Sequence, residues 1–593
     1  MKSTIYKIAS VALLGSSMLM STSCNDWLGL SPESSVTATD YWKTESDVES
    51  AMTGIYCSWI NATNRMFMHG EMRGDYLAPF TNNDAYTNIR ECNIASTNTW
   101  VGWQPYYTVI NNCNLLLEKA DEALAADASF SATSCAQYKA AATTVRALMY
   151  FYLIRVYKDV PYVTWAYFSD ETERDCAVTK QKDLLDDLIS QLETIEREGT
   201  LPFSYSSTNV AANKGQVTMY FLKALLADMY RWQGALETDL AKSQAAYQKC
   251  VDECNTIIES GQFTLIPITK QLPTEAGVDL EDVSSMLYED HFYVNTLNAI
   301  QEMFDAVYVK GNSSESIFEL QIDTYTATPF YGMLVASNRP YIPNMDLMSD
   351  NVFPSTEKLL GRGAGYEDVR YLINCMGIGG FCWKYAGMDM NGNYYASSDE
   401  FEKNILVYRL AEIYLMKAEA LVQLAWYDPE NSSNEDGNPK LLLEAYKALY
   451  KVRNRASAVE TTDVTAGSHA FQDVYWDELR NDEDFTIASG VLNRKAMEQF
   501  VLDEEGREMA FEGRRWFDVL RTAARNSYGT GECTGGGIGY LLNIVTSATT
   551  ITKASSVRSR YSNYYECHYL PYPKNDVQMN SLLDQKVDWE MAE

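Results

Sequence analysis

The sequence predicts a mostly α-helical protein: a scaffold of repeated helical hairpins that carries a large, irregular, loop-rich lobe with short β elements. Three observations lead to this fold class. Apolar residues recur at helical spacing in paired segments of the chain. Small and large residues alternate along one side of at least two of these segments. The central part of the chain is richer in Gly, Pro, Asn and Tyr, which favours turns and loops.

The predicted helices occupy both halves of the chain. They are Trp103–Leu124, Ala136–Tyr157, Asp183–Ile195, Val217–Gln233, Lys242–Glu259, Ile405–Leu424, Leu441–Arg455 and Arg494–Phe511. In the fourth helix Tyr220, Ala224, Ala227 and Tyr230 place small and large residues along one side. That pattern resembles tetratricopeptide-type hairpins, whose apolar faces become buried only when a neighbouring repeat packs against them.

The chain divides by composition into four parts: 1–23, 24–260, 261–400 and 401–593. The first is a leader, the second and fourth hold the predicted helices, and the third is the irregular lobe. Short β-prone runs such as Ile317–Ile322 occur within that lobe. A second irregular stretch, Asn526–Tyr569, has few charges and three consecutive glycines, and it predicts a mobile loop or hairpin.

The first residues have the pattern of an export signal. Lys2 and Lys7 precede the apolar run Ile8–Met20, and small residues follow before Cys24. The run is too short to span a bilayer. A signal that ends in Cys is typical of a bacterial lipoprotein, so we expect Cys24 to be lipidated and to become the mature N-terminus, with an ordinary cleavage site as the alternative. The mature body is then tethered to a membrane rather than embedded in it.

Length and charge limit the classes of function. The 593 residues are 46% hydrophobic, which is enough to bury a substantial core. The net charge of −32 makes nucleic acid a poor partner and disfavours anionic polymers as bulk ligands.

Catalytic and metal-binding motifs are absent from the sequence. It contains no His-Glu-x-x-His helix, no Gly-x-Ser-x-Gly elbow and no Walker-type phosphate loop. The four histidines are scattered, and a lone hydrogen-bonded histidine is the default interpretation of each: His69, His291, His469 and His568. We therefore predict no catalytic residue, no metal site and no cofactor.

One segment imitates the start of a calcium loop, namely Ser432, Asn434, Asp436 and Gly437. Its twelfth position is Leu443 rather than the bidentate Glu that such a loop requires. A structural calcium ion is therefore possible but not indicated, and a solvated connector between helices is favoured.

Charged residues concentrate around a helix break at Gly513. Trp516, Phe517 and Leu520 are expected to pack inward. The neighbouring charges can pair around the break: Glu508, Glu512, Arg514, Arg515 and Arg521. Because Arg and Glu this close in sequence usually hold a fold together, we favour a structural charge cluster over a catalytic or ligand role.

The same block, Arg507–Arg521, reads REMAFEGRRWFDVLR. It closely resembles the C-terminal signature of SusD/RagB outer-membrane lipoproteins, the nutrient-binding partners of SusC-like TonB-dependent transporters. The opening segments Cys24–Leu28 and Asp40–Thr44 are similar to the start of that family. One departure is Lys158, which stands where a Gly often precedes the family's Asp-Val-Pro element and affects a local turn. The resemblance implies a lipid-anchored, non-catalytic protein of the outer membrane that faces the cell exterior.

An aromatic surplus indicates where a ligand would bind. The chain has 41 Tyr, 12 Trp and 20 Phe. Sugar rings present apolar C–H faces and hydroxyl edges, so a carbohydrate site needs aromatic platforms with polar side chains beside them. Two loop regions combine these types, although each such residue is more often core than ligand platform. The candidate ligand-binding residues are Asp75, Arg90, Asn98 and Trp100 in the first region, and Tyr293, Phe330 and Tyr331 in the second.

These observations predict a surface lipoprotein that captures an oligosaccharide or polysaccharide, while the transporter partner is implied by the resemblance alone. Three alternatives remain. The ligand is an oligopeptide, since the family also includes peptide-capturing members. The protein is an anchored glycoside hydrolase, which would need two acids flanking a bond. Or it is a structural subunit that closes the transporter without contacting nutrient.

Overall fold

The structure is a computed structural model of the chain. It describes residues 41–80, 84–167, 175–205, 214–268, 302–322, 331–334, 339–344, 382–386, 403–425, 437–456, 494–525, 536–547 and 551–592, together with 347, 368, 370 and 374. Over these residues the protein is mostly α-helical with short strands, so the predicted fold class is confirmed.

The N-terminal helices are α1 (Glu45–Glu71), α2 (Asp84–Arg90), α3 (Gln104–Ala126), α4 (Ala132–Tyr157), α5 (Gln181–Glu198), α6 (Met219–Leu236) and α7 (Leu240–Glu259). The sequence analysis did not predict α1. A capping box begins it: the Asp47 amide donates to Thr44 Oγ1 at 3.3 Å, and the Thr44 amide donates to Asp47 Oδ2 at 2.7 Å. Two otherwise unpaired amides are thereby satisfied.

The later helices are α8 (Tyr331–Leu334), α9 (Trp383–Ala386), α10 (Leu410–Leu424), α11 (Pro439–Ala456), α12 (Arg494–Glu508), α13 (Arg515–Arg525), α14 (Gly536–Ser547), α15 (Ile551–Asn563), α16 (Lys574–Met579) and α17 (Val587–Ala592). In the described part of the chain, no helix combines the length and apolarity needed to cross a bilayer.

The long helices form a continuous stack of hairpins. Each of α3 to α7 packs against the next, α7 packs against α10, and α10 packs against both α11 and α12. Residues 127–131 join α3 to α4 and residues 237–239 join α6 to α7, so these neighbours are linked by short turns. Helices α4 and α6 are buried along most of their length, because each lies between helices on both sides. This is the tetratricopeptide-like arrangement that the small and large alternation predicted.

Three antiparallel strand pairs tie distant segments together. They are β1 (Leu77–Pro79) with β5 (Tyr341–Pro343), β2 (Val160–Pro161) with β3 (Val178–Thr179), and β4 (Ser316–Leu320) with β6 (Ile405–Arg409). The predicted helix Ile405–Leu424 therefore begins five residues later than expected. Its first residues include β-branched and aromatic side chains that pair with the buried β4 instead.

The prediction of a loop or hairpin over Asn526–Tyr569 was wrong, because α14 and α15 occupy most of the described part of it. Leu541, Leu542 and Val545 bury one side of α14, and Val557 and Tyr561 bury one side of α15. The glycine-rich start of α14 and the few apolar residues of α15 made these helices hard to recognise in the sequence.

The turn before β2 departs from ordinary backbone geometry. Lys158 ends α4 with a φ of 67° and a ψ of −91°, a region that favours glycine. The structure therefore shows why the resemblance led us to expect a glycine at this position. It also shows that this chain adopts the same kind of turn with a lysine.

Candidate functional site

The charged block around Gly513 is buried, and its charges pair with one another and with distant helices. Arg409, at the end of β6, shows the geometry. Its guanidinium contacts Glu508 at 2.6 Å, Glu512 at 2.8 Å and Glu315 at 3.2 Å, and all four side chains are buried. Burial alone would raise the pKa of Glu512, but Arg409 and Lys384 beside it lower that pKa to about 2.

Further pairs extend this buried network across the scaffold. Arg521 contacts Glu419 at 2.7 Å and Asp518 at 3.0 Å, while Arg231 contacts Glu505 at 2.7 Å. Because these groups are enclosed and engaged with one another, the structure confirms that the block is a structural charge cluster. We call this set of buried pairs, centred on α12 and α13, the ion-pair network.

Two candidate ligand-binding residues lie at the edge of the ion-pair network. The Asp75 carboxylate accepts from Arg515 at 2.8 and 3.2 Å, and Arg90 donates to the carbonyl oxygens of Gly74 and, at 3.5 Å, of Asp75. Asp75 and Arg90 are 3% and 4% exposed. Asp75 and Arg90 therefore have a structural role in the segment after α1. A ligand-binding role for these two residues stays a prediction.

Trp100 is more accessible, and its ring is half-buried. The Tyr86 ring lies 5.5 Å from it at an interplanar angle of 41°. The Arg65 guanidinium lies over the Trp100 ring, 4.9 Å from its centroid. Burial raises the pKa of Tyr86, so its hydroxyl remains a neutral donor at ordinary pH.

The backbone that carries Trp100 is held from two directions. Asn98 accepts from the Trp100 amide at 2.9 Å and donates to the Ala85 carbonyl oxygen at 2.9 Å, which ties this segment to α2. His69 donates from Nε2 to the Trp100 carbonyl oxygen at 2.8 Å, so its Nδ1 accepts from the Tyr106 hydroxyl at 2.8 Å. Burial lowers the pKa of His69 to about 3 and keeps it neutral. Asn98 therefore positions the Trp100 ring.

The strand pair β1–β5 brings two more rings to this region. Tyr341 lies 5.1 Å from Tyr86 in an edge-on arrangement. Phe80 directly follows β1, its amide donates to the Pro340 carbonyl oxygen at 2.7 Å, and 51% of the residue is exposed. We call Phe80, Tyr86, Trp100 and Tyr341 the aromatic platform. Tyr341 is fully buried and supports Tyr86 rather than facing a ligand, and the Arg339 guanidinium lies over the Phe80 ring, 4.7 Å from its centroid. Flat rings on a fixed backbone, with polar groups beside them, can hold the apolar face of a ligand ring.

The remaining candidate residues are less completely described. Cys24, Tyr293 and Phe330 lie outside the described residues, as does the calcium-like run except for Gly437. Tyr331 begins α8, and only its backbone is described. Within the described residues, no group of three or more His, Cys, Asp or Glu side chains could hold a metal ion.

The interior contains a separate cavity of about 70 Å³ next to the helix break. Its lining includes Trp59, Phe67, Tyr308, Lys403 and Glu512. Ligand pockets for drug-sized molecules are commonly about 300 Å³ or larger, so this cavity is too small for an oligosaccharide.

Sequence reasoning missed Arg65 and Tyr341 as neighbours of Trp100. The apolar spacing of Val48, Met52, Ile55 and Trp59 could have revealed α1 and thus the position of Arg65 one helical turn from His69. Tyr341 reaches the platform only through the pairing of β1 with β5, for which the sequence contains no local signal.

Comparison with known proteins agrees with this architecture. A family model described as "SusD family" matches residues 381–589, and one described as "Starch-binding associating with outer membrane" matches residues 26–202. The chain belongs to the SusD family. It is thus one of a family of glycan-binding proteins associated with the outer membrane, which are generally not enzymes.

Similar proteins cover nearly the same length. The chain is 24% identical to SusD-like protein P38 of Formosa agariphila over 84% of this chain and 88% of that protein. Among solved structures it is similar to a SusD homolog from Bacteroides thetaiotaomicron, with a TM-score of 0.57 and 18% identity over 93% of this chain and all of the other. A SusD superfamily protein from Bacteroides vulgatus gives a TM-score of 0.59 and 17% identity over the same shares. At these identities, the solved structures show the fold alone.

Proposed function

We propose that this protein captures an oligosaccharide or polysaccharide on the outer face of the outer membrane and delivers it to a SusC-like TonB-dependent transporter. In this proposal the Cys24 lipid anchors the protein to the membrane. Family membership and the lipoprotein-type leader support the location and the partner.

The aromatic platform is the single observation that carries the proposed capture site. Trp100 and Tyr86 are half-buried, so part of each ring is accessible although the backbone beneath is fixed by Asn98 and His69. A site whose rings are already held in place loses little conformational entropy on binding. Sugar C–H faces stack on such rings, and polar groups at the rim hydrogen-bond the hydroxyls.

The experiment is a titration of the mature protein with plant, microbial and host glycans and with a peptide mixture, followed by product analysis for cleavage. For the glycan that binds, we expect Trp100→Ala to weaken affinity at least about tenfold, because a centrally placed aromatic contact commonly contributes about 2 kcal/mol. Phe80→Ala should weaken it less, since half of that residue is already exposed.

Phe203→Ala is the matched control. Phe203 is 49% exposed, close to the 51% of Phe80, but it packs against Tyr220 rather than in the platform. Its replacement should leave glycan affinity unchanged. Unchanged affinity in Trp100→Ala would remove the platform from the proposal. Saturable peptide binding in place of glycan binding would favour the oligopeptide alternative, and glycan cleavage would favour a hydrolase.

A further inference from the structure

The surroundings of Arg65 are unusual for so acidic a protein. The chain has 80 Asp and Glu residues against 48 Lys and Arg residues. Yet residues 50–70, which surround Arg65 on α1, and residues 92–117, which include Trp100, contain no Asp or Glu. In the described part of the chain, Arg65 forms no ion pair with an acid. The two segments that carry Arg65 and Trp100 therefore place no acid of their own beside the guanidinium.

Two contacts hold the Arg65 side chain in place. Its Nη1 donates to the Thr99 carbonyl oxygen at 2.6 Å, and its guanidinium lies over the Trp100 ring. A guanidinium has five N–H donors, and the Thr99 bond uses one of them. Stacking on a ring orients the plane of the guanidinium without engaging its remaining donors. The side chain is half-buried, so it is fixed but not enclosed.

We propose that the aromatic platform selects an oligosaccharide that carries a single carboxylate, such as one uronic acid residue, and that Arg65 binds this carboxylate. The inference rests on the proposed function of the platform as a glycan site. A planar carboxylate matches the N–H fork of an arginine, and such charge-assisted pairs are shorter and stronger than hydrogen bonds between neutral groups. The guanidinium covers one face of the indole, so a sugar that contacts the edge of the Trp100 ring would place a ring substituent beside the guanidinium.

The overall charge sets the limit of this selectivity. A net charge of −32 repels a polyanion over its whole length, whereas one carboxylate can pair locally with Arg65. The Arg339 guanidinium also lies over a platform ring, 4.7 Å from the Phe80 centroid, but Arg339 is only 3% exposed and so is less open to a ligand. The preferred ligand therefore carries one acid among neutral sugars. Asp84 lies at the exposed start of α2, two residues before Tyr86. Its negative charge repels a ligand carboxylate and therefore weakens the preference for the acid form.

The test uses a panel of oligosaccharides that each carry one uronic acid, with each compound paired to its carboxyl-reduced neutral form. Calorimetric titration of the mature protein should show about tenfold tighter binding of the acid form of the recognised compound. Arg65→Gln should remove this difference, so that the acid and neutral forms bind with equal affinity. Arg65→Lys should retain part of the preference, because a lysine keeps the charge but not the fork. Asp84→Asn should strengthen binding of the acid form alone.

Arg197→Gln is the control for the change in net charge that Arg65→Gln causes. Arg197 is exposed at the end of α5, where it donates to Thr194, and its replacement changes the net charge by the same amount as Arg65→Gln. It should leave the preference intact. Unfolding curves of both variants check that folding is preserved.

The outcomes separate the two proposals. Glycan binding that depends on Trp100 but is equal for acid and neutral forms would overturn the carboxylate preference and keep the capture site. A preference that survives Arg65→Gln would also overturn it. Binding that is insensitive to Trp100, or no glycan binding at all, would overturn both.

Discussion

Arg409 and Arg65 lie in two regions of the same molecule and have opposite surroundings. Arg409, in the ion-pair network, is 1% exposed and contacts three glutamates. Arg65, beside the aromatic platform, is half-buried and contacts a ring and a carbonyl oxygen. A buried charge without a partner lowers the stability of the fold by several kcal/mol, so each charge in the network needs a partner of opposite sign. A partly solvated arginine carries no such requirement and remains available to a ligand.

The comparison also shows that the family signature lies apart from the proposed binding site. The block Arg507–Arg521 closes the scaffold: Gly513 contacts Glu71 of α1, Arg521 contacts Glu419 of α10, and α13 packs against α6. The platform lies on the segments around α2 and β1, which that block supports through the contact of Arg515 with Asp75. Residues that specify the fold and residues that we propose to contact ligand thus separate into different parts of the chain.

The largest effect should come from breaking the network. Arg409→Ala leaves Glu315, Glu508 and Glu512 buried with fewer partners, so we expect a loss of about 3–5 kcal/mol in the free energy of unfolding. Urea unfolding followed by circular dichroism measures it. Lys139→Ala breaks a solvent-exposed pair with Asp121 and should lower the free energy of unfolding by less than about 1 kcal/mol. Similar losses in the two variants would show that burial does not distinguish these pairs.

A second prediction concerns the contact between α1 and the helix break. A Cβ on Gly70 would collide with the carbonyl oxygen of Gly513, whereas a Cβ on Gly54 in the same helix meets no atom within 4 Å. Gly70→Ala should therefore lower the free energy of unfolding by about 1–3 kcal/mol. Gly54→Ala should raise it by about 1 kcal/mol, because alanine favours helix.

Thermal or urea unfolding of the two alanine variants side by side measures this contrast. If Gly70→Ala and Gly54→Ala had equal free energies of unfolding, the close approach of α1 to Gly513 would contribute nothing to the stability of the protein. Because both changes are in one helix, they differ only in what surrounds the added methyl group.

The most gradual effect, about 1 kcal/mol for each pH unit, compares two glutamates at the same break. Burial raises the pKa of Glu71 to about 8 although Arg515 is near, and its Oε2 accepts from the Gly513 amide at 3.1 Å. Folded Glu71 keeps its proton between pH 4.5 and 8 while the unfolded chain releases it, so this group makes the protein less stable as pH rises. Glu71→Gln should remove that loss.

Glu512 should behave in the opposite way. Its folded pKa of about 2 lies below the ordinary value of 4.5, so its contribution is complete above pH 4.5 and is lost as pH falls toward 2. Unfolding measured from pH 3 to pH 8 checks both signs. The free energy of unfolding of Glu71→Gln should increase relative to that of the wild type as pH rises from 5 to 7. Glu512→Gln should be less stable than the wild type above pH 5, and the two stabilities should converge below pH 4. A Glu71→Gln curve parallel to the wild type would contradict the raised pKa.

Prediction from the sequence succeeded where the signal was local. Helices such as Ala136–Tyr157 and Val217–Gln233 carry a strong apolar period, and the structure places the ends of α4 and α6 within four residues of their expected positions. It failed where the period was weak, at α14 and α15, and where a strand preceded a helix, at Ile405–Arg409. In both places tertiary packing determined the outcome.

For the candidate site, residue type alone did not separate Asp75 from Trp100. Both belong to one loop region rich in turn residues, yet Asp75 is buried against Arg515, which is 440 positions away in the chain. Trp100 instead remains partly open beside Arg65 and Tyr86. Long-range pairing of this kind leaves no trace in local spacing.

The sequence by itself determined the helical scaffold and the family, because helical period and signature order are carried by neighbouring residues. Only the tertiary structure decided which arginines pair with acids and which aromatic rings remain accessible. Those outcomes depend on which distant segments meet. The physical reason is that burial requires every charge to find a partner, whereas a partly solvated surface does not.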